Sequence, residues 1–325
     1  MGELTALPNQ FENLVRLGKV ALNQRQWPEA IAHLEAAYDL QQTTALNLLL
    51  VSVLVAAGDN QRALQLAFEK KDFYTNETDL RLLYNGLLIK NQHFIAANEL
   101  WSAVEATDAF EQRTKQKGQA LLKTAEKAYQ ATEQQAIKKR QEQLYNITTG
   151  DFQDQQRRLD AAELLPLADY LQGVSPILVN PYCHPFVKTT ILETLVRLRY
   201  SESVTINWFD QVQQVTPSEL ELMTNRPVLK LIQKTIQNIL GQQDPIILEA
   251  ALAECQMTFA YLYPFEETVI DNPEEWGQAL IQQLGVFIFE PTVPISEKTI
   301  QWLKKLQELT CLLYTSDAAD DMQCV

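Results

Sequence analysis

Residues able to carry out acid–base, nucleophilic or metal chemistry are few and scattered along this sequence of 325 residues. The three histidines, His33, His93 and His184, are far apart, and His184 has Cys183 directly before it. Adjacent side chains usually point in different directions, so Cys183 and His184 make a poor nucleophile–base pair. One such pair also falls short of the four ligands of a structural zinc site. We therefore predict no catalytic, cofactor or metal site from these residues.

Acidic side chains form one cluster near the end of the chain, and its members are Glu266, Glu267, Asp271, Glu274 and Glu275. The stretch 272–275, Asn-Pro-Glu-Glu, is typical of a helix start, with a capping side chain, a proline and two acids at the positive helix end. This explains the last two acids, and a solvated loop explains the other three. The sequence contains neither glycine-rich phosphate-binding loops nor the HExxH and GxSxG motifs, which argues against the enzyme classes that depend on them.

Composition favours a helical cytoplasmic protein. Glycine is scarce, with 10 residues, whereas Gln, Leu and Ala are plentiful, and this mixture favours helices over sheets. A net charge of −14 gives the chain little attraction for nucleic acid or anionic lipid. The N-terminus lacks a secretory signal, and the longest apolar run, 45–57, falls short of the roughly 20 residues of a membrane span. We expect no nucleic-acid or membrane binding, and homo-oligomers are left open.

The segment 311–325 differs in character from the sequence before it. Its first ten residues, CLLYTSDAAD, are similar to the conceptual translation of a transposase adapter used in sequencing libraries. We therefore predict an artefactual tail or, alternatively, a short disordered one, with the biological sequence ending near Thr310, before its true C-terminus. Without this tail three aspartates are lost and the net charge changes from −14 to −11. Cys183 and Cys255 then remain, and two cysteines do not indicate a disulfide framework.

Small residues recur in the first third of the chain with a period of 33 to 34 residues, at Ala30, Ala63 and Ala97. Each of these alanines lies in the second of two helical stretches that are joined by a short polar turn. In the stretch QWPEAIAHLEAAYDL (26–40), Trp27, Ala30, Leu34 and Ala37 share one stripe of a helix. Alanines in a buried stripe let two helices approach closely, and the large residues beside them restore packing density.

This period and this helix–turn–helix unit resemble tetratricopeptide repeats. We expect three repeats, at about 11–43, 44–77 and 78–108. The first repeat carries the large and small residues of the family at Leu14, Leu17, Gly18, Trp27, Ala30, Leu34 and Ala37. The second repeat departs from the pattern at Asn47 and Val51, and the third lacks the glycine.

The rest of the chain is predicted to be helical as well. We expect a long, polar, largely solvated connecting helix over 109–158 and a helical C-terminal domain over 159–310. In that domain HPFVKTTILETLVRL (184–198) has one apolar face, and the alternation in 204–215 indicates one small β-hairpin. The HPFVKTTILETL stretch loosely resembles cytosolic bacterial proteins that pair tetratricopeptide repeats with a helical domain of unassigned function. The predicted fold class is all-α, a superhelix of helical hairpins followed by a long helix and a second helical domain.

The resemblance implies a concave face lined by the first helix of each repeat. The predicted partner-binding residues on that face are Val15, Lys19, Leu48, Val55, Leu82, Ile89 and Lys90. The middle of the face is apolar and its ends are polar, as in a groove for a peptide or a helix. Val15 and Leu48 stand where the family's clamp for a C-terminal carboxylate has polar residues, which argues against that ligand.

These observations predict a non-enzymatic protein-interaction module, acting as an adaptor, assembly factor or regulator with a protein or peptide partner. Two alternatives are left open. The C-terminal domain could occupy the groove, or it could be an enzyme whose site carries no recognisable motif.

Overall fold

Helices make up 76% of the computed structural model of this chain, and the described residues are all-α apart from one β-hairpin, as the sequence predicts. The structure describes residues 10–105, 108–209, 211–241, 245–285 and 293–320, with side chains as far as Leu309. The chain divides into two units. The N-terminal unit comprises residues 1–134 and 163–167, and the C-terminal unit comprises residues 135–162 and 168–325.

The described part of the N-terminal unit is built from helical hairpins. Its helices are α1 (Gln10–Asn23), α2 (Trp27–Leu40), α3 (Thr44–Ala57), α4 (Asn60–Phe68), α5 (Lys71–Asn76), α6 (Thr78–Lys90), α7 (Phe94–Ser102) and α8 (Ala109–Thr132). The pairs α1/α2, α3/α4 and α6/α7 lie within the three predicted repeats. Helix α2 also packs on α3, and α4 on α6, so each second helix joins its own hairpin to the next one.

Small residues occupy the closest helix contacts, as the repeat pattern predicts. The side chains of Ala30, Ala63 and Ala97 are completely buried. A Cβ atom added to Gly18 would lie 2.6 Å from Cδ2 of Leu34, so any larger residue between α1 and α2 at this point would require the Leu34 side chain to shift. Trp27 is half-buried rather than buried, and it therefore contributes less packing than a core tryptophan.

The segment 109–158 is not one continuous connecting helix, as the sequence predicts it to be. The segment forms three helices, because α8 ends at Thr132 and is followed by α9 (Gln134–Tyr145) and α10 (Phe152–Ala162). The turn before α10 contains Gly150 with φ +114°, a conformation that favours glycine. Helix α8 is largely exposed, as the sequence predicts, and it packs on α6 and α7, where an added Cβ at Gly118 would come within 1.9 Å of the Trp101 ring.

The other helices and strands belong mainly to the C-terminal unit. They are α11 (Leu167–Val179), α12 (Pro185–Arg197), β1 (Val204–Trp208), β2 (Gln211–Val215), α13 (Pro227–Leu240), α14 (Pro245–Leu262), α15 (Pro273–Gln283) and α16 (Glu297–Asp320). The strands are antiparallel, with Val204 opposite Val215, which confirms the predicted hairpin. The predicted start of α15 is confirmed too, because the Asn272 side chain accepts hydrogen bonds from the backbone N–H groups of Glu274 and Glu275.

Helix α16 continues through residues 311–320. The segment contains Leu and Ala, which are strong helix formers, and extending an existing helix is far easier than nucleating a new one. Residues 321–325 lie outside the described residues. The predicted artefactual or disordered tail over 311–325 stays a prediction.

Candidate protein-binding groove

The seven predicted partner-binding residues lie on the first helices of the three hairpins. Helix α1 carries Val15 and Lys19, α3 carries Leu48 and Val55, and α6 carries Leu82, Ile89 and Lys90; we call these seven the groove residues. The five apolar ones are half-buried and pack at the edge of the apolar core of the N-terminal unit. The two lysines are exposed. The groove residues therefore combine accessible apolar surface with positive charge.

Gly86 lies on α6 between two groove residues, one turn after Leu82 and one turn before Lys90. A Cβ atom added to Gly86 would meet nothing within 4 Å, in contrast to Gly18 and Gly118, where a neighbouring side chain lies in the way. Its φ also lies outside the left-handed region that favours glycine. A glycine inside a helix costs about 1 kcal/mol relative to alanine. Packing among the described residues therefore does not explain this glycine, which leaves an open notch in the surface of α6.

A buried amide fixes the rotation of α3. Asn47 is completely buried; its Oδ1 accepts a hydrogen bond from the Tyr74 hydroxyl at 2.7 Å, and its Nδ2 donates to the Tyr38 hydroxyl at 3.1 Å and to the Leu66 carbonyl at 2.9 Å. Turning α3 about its axis would leave these polar groups unpaired in the core. The network thereby orients the neighbouring groove residue Leu48.

A second buried amide does the same for α6. Asn85 is completely buried, its Oδ1 accepts the indole N–H of Trp101 at 2.9 Å, and its Nδ2 donates to the Gly118 carbonyl at 3.4 Å. Gly86 follows Asn85 directly, so this contact sets the direction in which the notch faces. In the sequence, Asn47 departs from the family pattern, and so does Asn85, which stands where the third repeat lacks the glycine. The structure shows that polar contacts with the adjacent helices replace the usual packing at Asn47 and at Asn85.

The histidines and Cys183 do not form a catalytic arrangement. His33 lies on α2 and His93 directly precedes α7, where burial lowers the pKa of its imidazole. His184 Nδ1 accepts the backbone N–H of Phe186 at 3.1 Å as the cap of α12, and burial lowers its pKa to about 4. Burial raises the pKa of the Cys183 thiol to about 12, and this thiol is directed to Gln155 Oε1 at 3.7 Å. The thiol is therefore protonated near neutral pH, and His184 does not activate it.

The acidic residues near the end of the chain make more contacts within the fold than the sequence predicts. Glu266 is completely buried and pairs with Arg226, so its assignment to a solvated loop is wrong. Arg226 lies 40 residues away in the sequence, and local pattern does not reveal such a partner. Glu275 accepts hydrogen bonds from the backbone N–H and the hydroxyl of Ser296, at 2.8 and 2.6 Å. Within the described ranges, no group of three or more His, Cys, Asp or Glu side chains is placed to hold a metal ion.

Among the helices that the structure describes, none has the length and apolar character needed to cross a bilayer. No protein-family model matches the chain. No solved structure matches it either.

The chain is similar over most of its length to a bacterial protein. It is 23% identical over 288 residues to the TPR repeat-containing protein YsoA of Bacillus subtilis (strain 168), and the match covers 86% of this chain and 84% of that protein. TPR denotes the tetratricopeptide repeat. Together with the helical hairpins, this similarity supports a TPR-type protein. At that level it suggests a protein-interaction module of a non-enzymatic, scaffold kind.

Proposed function

We propose that the N-terminal unit binds a peptide or helix of a partner protein through the groove residues, and that the chain acts as an adaptor, assembly factor or regulator in the bacterial cytoplasm. The apolar groove residues would receive apolar side chains of the partner. Lys19 and Lys90 would pair with acidic residues that flank them, which affects mainly the association rate and its salt dependence.

The single observation that carries this proposal is the notch at Gly86. Gly86 weakens its own helix without a packing reason among the described residues. A partner side chain or backbone that enters the notch supplies such a reason, because glycine permits an approach that any side chain would block. The half-buried Leu82 and Ile89 lie beside the notch on the same helix and provide the apolar surface that such a partner needs.

The proposal can be tested by capture from a bacterial lysate on the immobilised full chain. Leu82→Glu should abolish capture of the partner while helicity is kept and the melting temperature falls only moderately, because Leu82 is half-buried at the edge of the core. Phe68→Glu is the matched control, because Phe68 is an exposed apolar residue on α4, outside the groove residues. This control should capture as the wild type does.

Three outcomes would contradict the proposal. Leu82→Glu could capture every partner of the wild type, or Phe68→Glu could lose the same partners. A fall in the melting temperature of Leu82→Glu as large as that of a fully buried core position would show that other residues of the chain cover this face, because burying an unpaired charge is costly. If the captured partner is a second copy of the chain, size-exclusion chromatography will show an oligomer that Leu82→Glu dissociates.

Two substitutions at Gly86 separate binding from stability. Gly86→Ala should stabilise the free protein by about 1 kcal/mol, since alanine is the better helix former. Gly86→Leu fills the notch and should weaken partner binding at least tenfold without destabilising the fold. Urea denaturation and titration of the captured partner measure the two effects. Equal binding by Gly86→Leu and the wild type would remove the main support for the proposal.

A further inference from the structure

The hairpin of β1 and β2 has two outer edges, and the structure protects one of them. Along β1, the Nζ of Lys188 on α12 donates to the backbone carbonyl of Asn207 at 2.9 Å. Along β2 the sheet has no third strand, and among the described elements only β1 makes extensive contacts with β2. An edge strand with unpaired backbone groups is a template for pairing with another strand.

The register of the hairpin identifies the free backbone groups of β2. Trp208 and Gln211 are paired and only two residues connect them, so they exchange hydrogen bonds across the turn. Hydrogen-bonded and non-hydrogen-bonded pairs alternate along an antiparallel ladder. The N–H and C=O groups of Val212 and Gln214 therefore point away from β1, and within the described ranges they have no hydrogen-bond partner.

The sequence of β2 contains none of the features that commonly prevent pairing at an edge. Its five residues, Gln-Val-Gln-Gln-Val, include no charged residue and no proline. Gln211, Val212 and Gln214 are exposed, and Val212 has 69% of its surface accessible. An apolar side chain therefore stands in solvent directly beside the free backbone groups.

We propose that two copies of the chain associate through β2, edge to edge and antiparallel, and that this joins their hairpins into one sheet. Centring the new pair on Gln213 brings Val212 of each copy opposite Gln214 of the other. In this register the outward N–H and C=O groups of both residues bond to the second copy, which uses all the free groups identified above.

The composition of β2 favours a second copy of the chain as the partner. Gln213 lies opposite Gln213 of the second copy, and two such amides can pair because each carries donors and an acceptor. No like charges face each other within β2, although the net charge of the chain is −14. Asp210 directly precedes β2 in the sequence, and the antiparallel register keeps its two copies at opposite ends of the pair.

An extended peptide of another protein fits this edge less well. Strand addition gains its specificity from pockets that receive alternate side chains of the peptide. The cavity of about 200 Å³ beside the hairpin, whose lining includes Trp208 and Lys305, is lined by residues of β1 and by none of β2. The proposed association also involves none of the groove residues, so it goes beyond the proposed function, and Leu82→Glu should dimerise as the wild type does.

Analytical ultracentrifugation and hydrogen exchange of the full chain test the pairing. The chain should sediment as a monomer at about 1 µM and increasingly as a dimer toward about 500 µM, since a short edge gives a weak, transient interface. Over this range the amide protons of Val212 and Gln214 should become protected about threefold, while that of Gln213, which already bonds to β1, should not change. The proposal is overturned if the chain stays monomeric, or if both amides are protected in the monomer because other residues of the chain occupy the edge.

A proline at position 212 removes a donor from the outer edge alone. The Val212 N–H points away from β1, so Val212→Pro leaves the hydrogen bonds of the hairpin in place and should weaken dimerisation about tenfold. Val212→Thr is the matched control, because it keeps the N–H group and a β-branched side chain, and it should dimerise as the wild type does. Circular dichroism checks that both variants are folded. Equal association of the two variants would overturn the proposal.

A charge exchange at Gln213 tests the two-fold register without changing the backbone. Gln213→Lys and Gln213→Glu each place like charges opposite each other, and each should dimerise about tenfold more weakly than the wild type. An equimolar mixture of the two variants should associate about as tightly as the wild type, because a lysine of one copy then faces a glutamate of the other. A mixture that associates as weakly as each variant alone would overturn the proposal.

Discussion

The N-terminal unit is assembled from contacts between helices that are neighbours in the sequence, whereas the C-terminal unit depends on contacts between distant elements. In the N-terminal unit each hairpin packs on the next, and the small residues at these contacts recur with the repeat. In the C-terminal unit Thr189 donates to the carbonyl of Ala260, 71 residues away, and Arg226 pairs with Glu266, 40 residues away. The helix contacts in the core of the N-terminal unit therefore repeat along the chain, whereas each contact in the core of the C-terminal unit occurs once.

This difference has a consequence for binding. A repeated contact pattern places equivalent residues of successive first helices on one side, which produces an extended surface such as that of the groove residues. Contacts between distant elements bring together side chains of unlike chemistry. The cavity lined by Trp208 and Lys305 is an example, since its walls come from four separate elements. An extended surface of this kind suits a protein segment.

The largest expected effect comes from removing one buried tryptophan in each unit. Trp101 and Trp276 are both 1% exposed, so Trp101→Ala and Trp276→Ala should each destabilise by about 3–5 kcal/mol. In a repeat array the loss should stay close to the mutation, because each repeat contacts only its neighbours. Hydrogen exchange should therefore show lost protection in α6, α7 and α8 of Trp101→Ala, with α1 retained. Trp276→Ala should lower protection throughout α12 to α15.

Hydrogen exchange of these two variants distinguishes a core of repeated local contacts from a core of distant contacts. Uniform loss of protection across the N-terminal unit in Trp101→Ala would mean that this unit is as cooperative as a single core. Loss confined to α15 in Trp276→Ala would mean that the C-terminal unit is not held together by its distant contacts.

The next largest effect concerns pH. Burial lowers the pKa of His184 from 6.5 to about 4, so between these values the unfolded chain binds a proton that the folded chain does not. The free energy of unfolding of the C-terminal unit should therefore fall as the pH is lowered from 6.5 to 4, by about 3 kcal/mol from this residue. His184→Asn keeps an acceptor for the Phe186 N–H and does not titrate, so this variant should lose that part of the pH dependence.

His93 offers the matching experiment in the N-terminal unit. Burial lowers its pKa as well, so His93→Asn should reduce the pH dependence of the N-terminal unit and leave that of the C-terminal unit unchanged. Urea denaturation read by hydrogen exchange in each unit, at several pH values, gives both results. An unchanged slope for the C-terminal unit of His184→Asn would show that His184 is protonated in the folded protein.

A smaller effect is expected from overpacking one repeat contact. Ala30 is completely buried where α2 meets α1, and an added Cβ at Gly18 would lie 3.5 Å from the Ala30 carbonyl oxygen. Ala30→Leu should therefore destabilise by about 1–3 kcal/mol. Ala32→Leu, an exposed position on the same helix, is the control and should change stability by less than about 0.5 kcal/mol. Equal urea midpoints for the two variants would show that α2 faces α1 with a different side.

The repeat explains why much of the N-terminal unit could be predicted from the sequence. Three copies of one pattern placed the hairpins, the turns and the buried positions Ala30, Ala63 and Ala97. The pattern could not explain Asn47 and Asn85, because their hydrogen-bond partners Tyr74 and Trp101 become evident only once the helices are packed. The groove residues were assigned to the correct helices, but the open space at Gly86 depends on neighbours that a single helix does not show.

In the C-terminal unit the sequence predicts local features and misses distant ones. The cap at Asn272 and the hairpin of β1 and β2 depend on residues within a few positions of each other, and both were predicted. The burial of Glu266 and Lys188 was not, because each is stabilised by a partner from another element. The long connecting helix predicted over 109–158 is three helices, α8, α9 and α10, and the turn before α10 contains Gly150 with positive φ.

The smallest expected effect is that of deleting residues 311–325, and it tests where the core of the C-terminal unit ends. On α16 the described side chains that contact this core include Leu303 and Leu306, which are buried, and Leu309, which is partly buried. If 311–325 derives from an adapter, the core has no need of it, and the deletion should leave the melting temperature within error. Leu306→Ala is the internal control, and it should destabilise by about 2–5 kcal/mol because Leu306 is completely buried. A fall of several degrees after the deletion would make 311–325 part of the native structure, and the C-terminal core would then extend beyond Leu309.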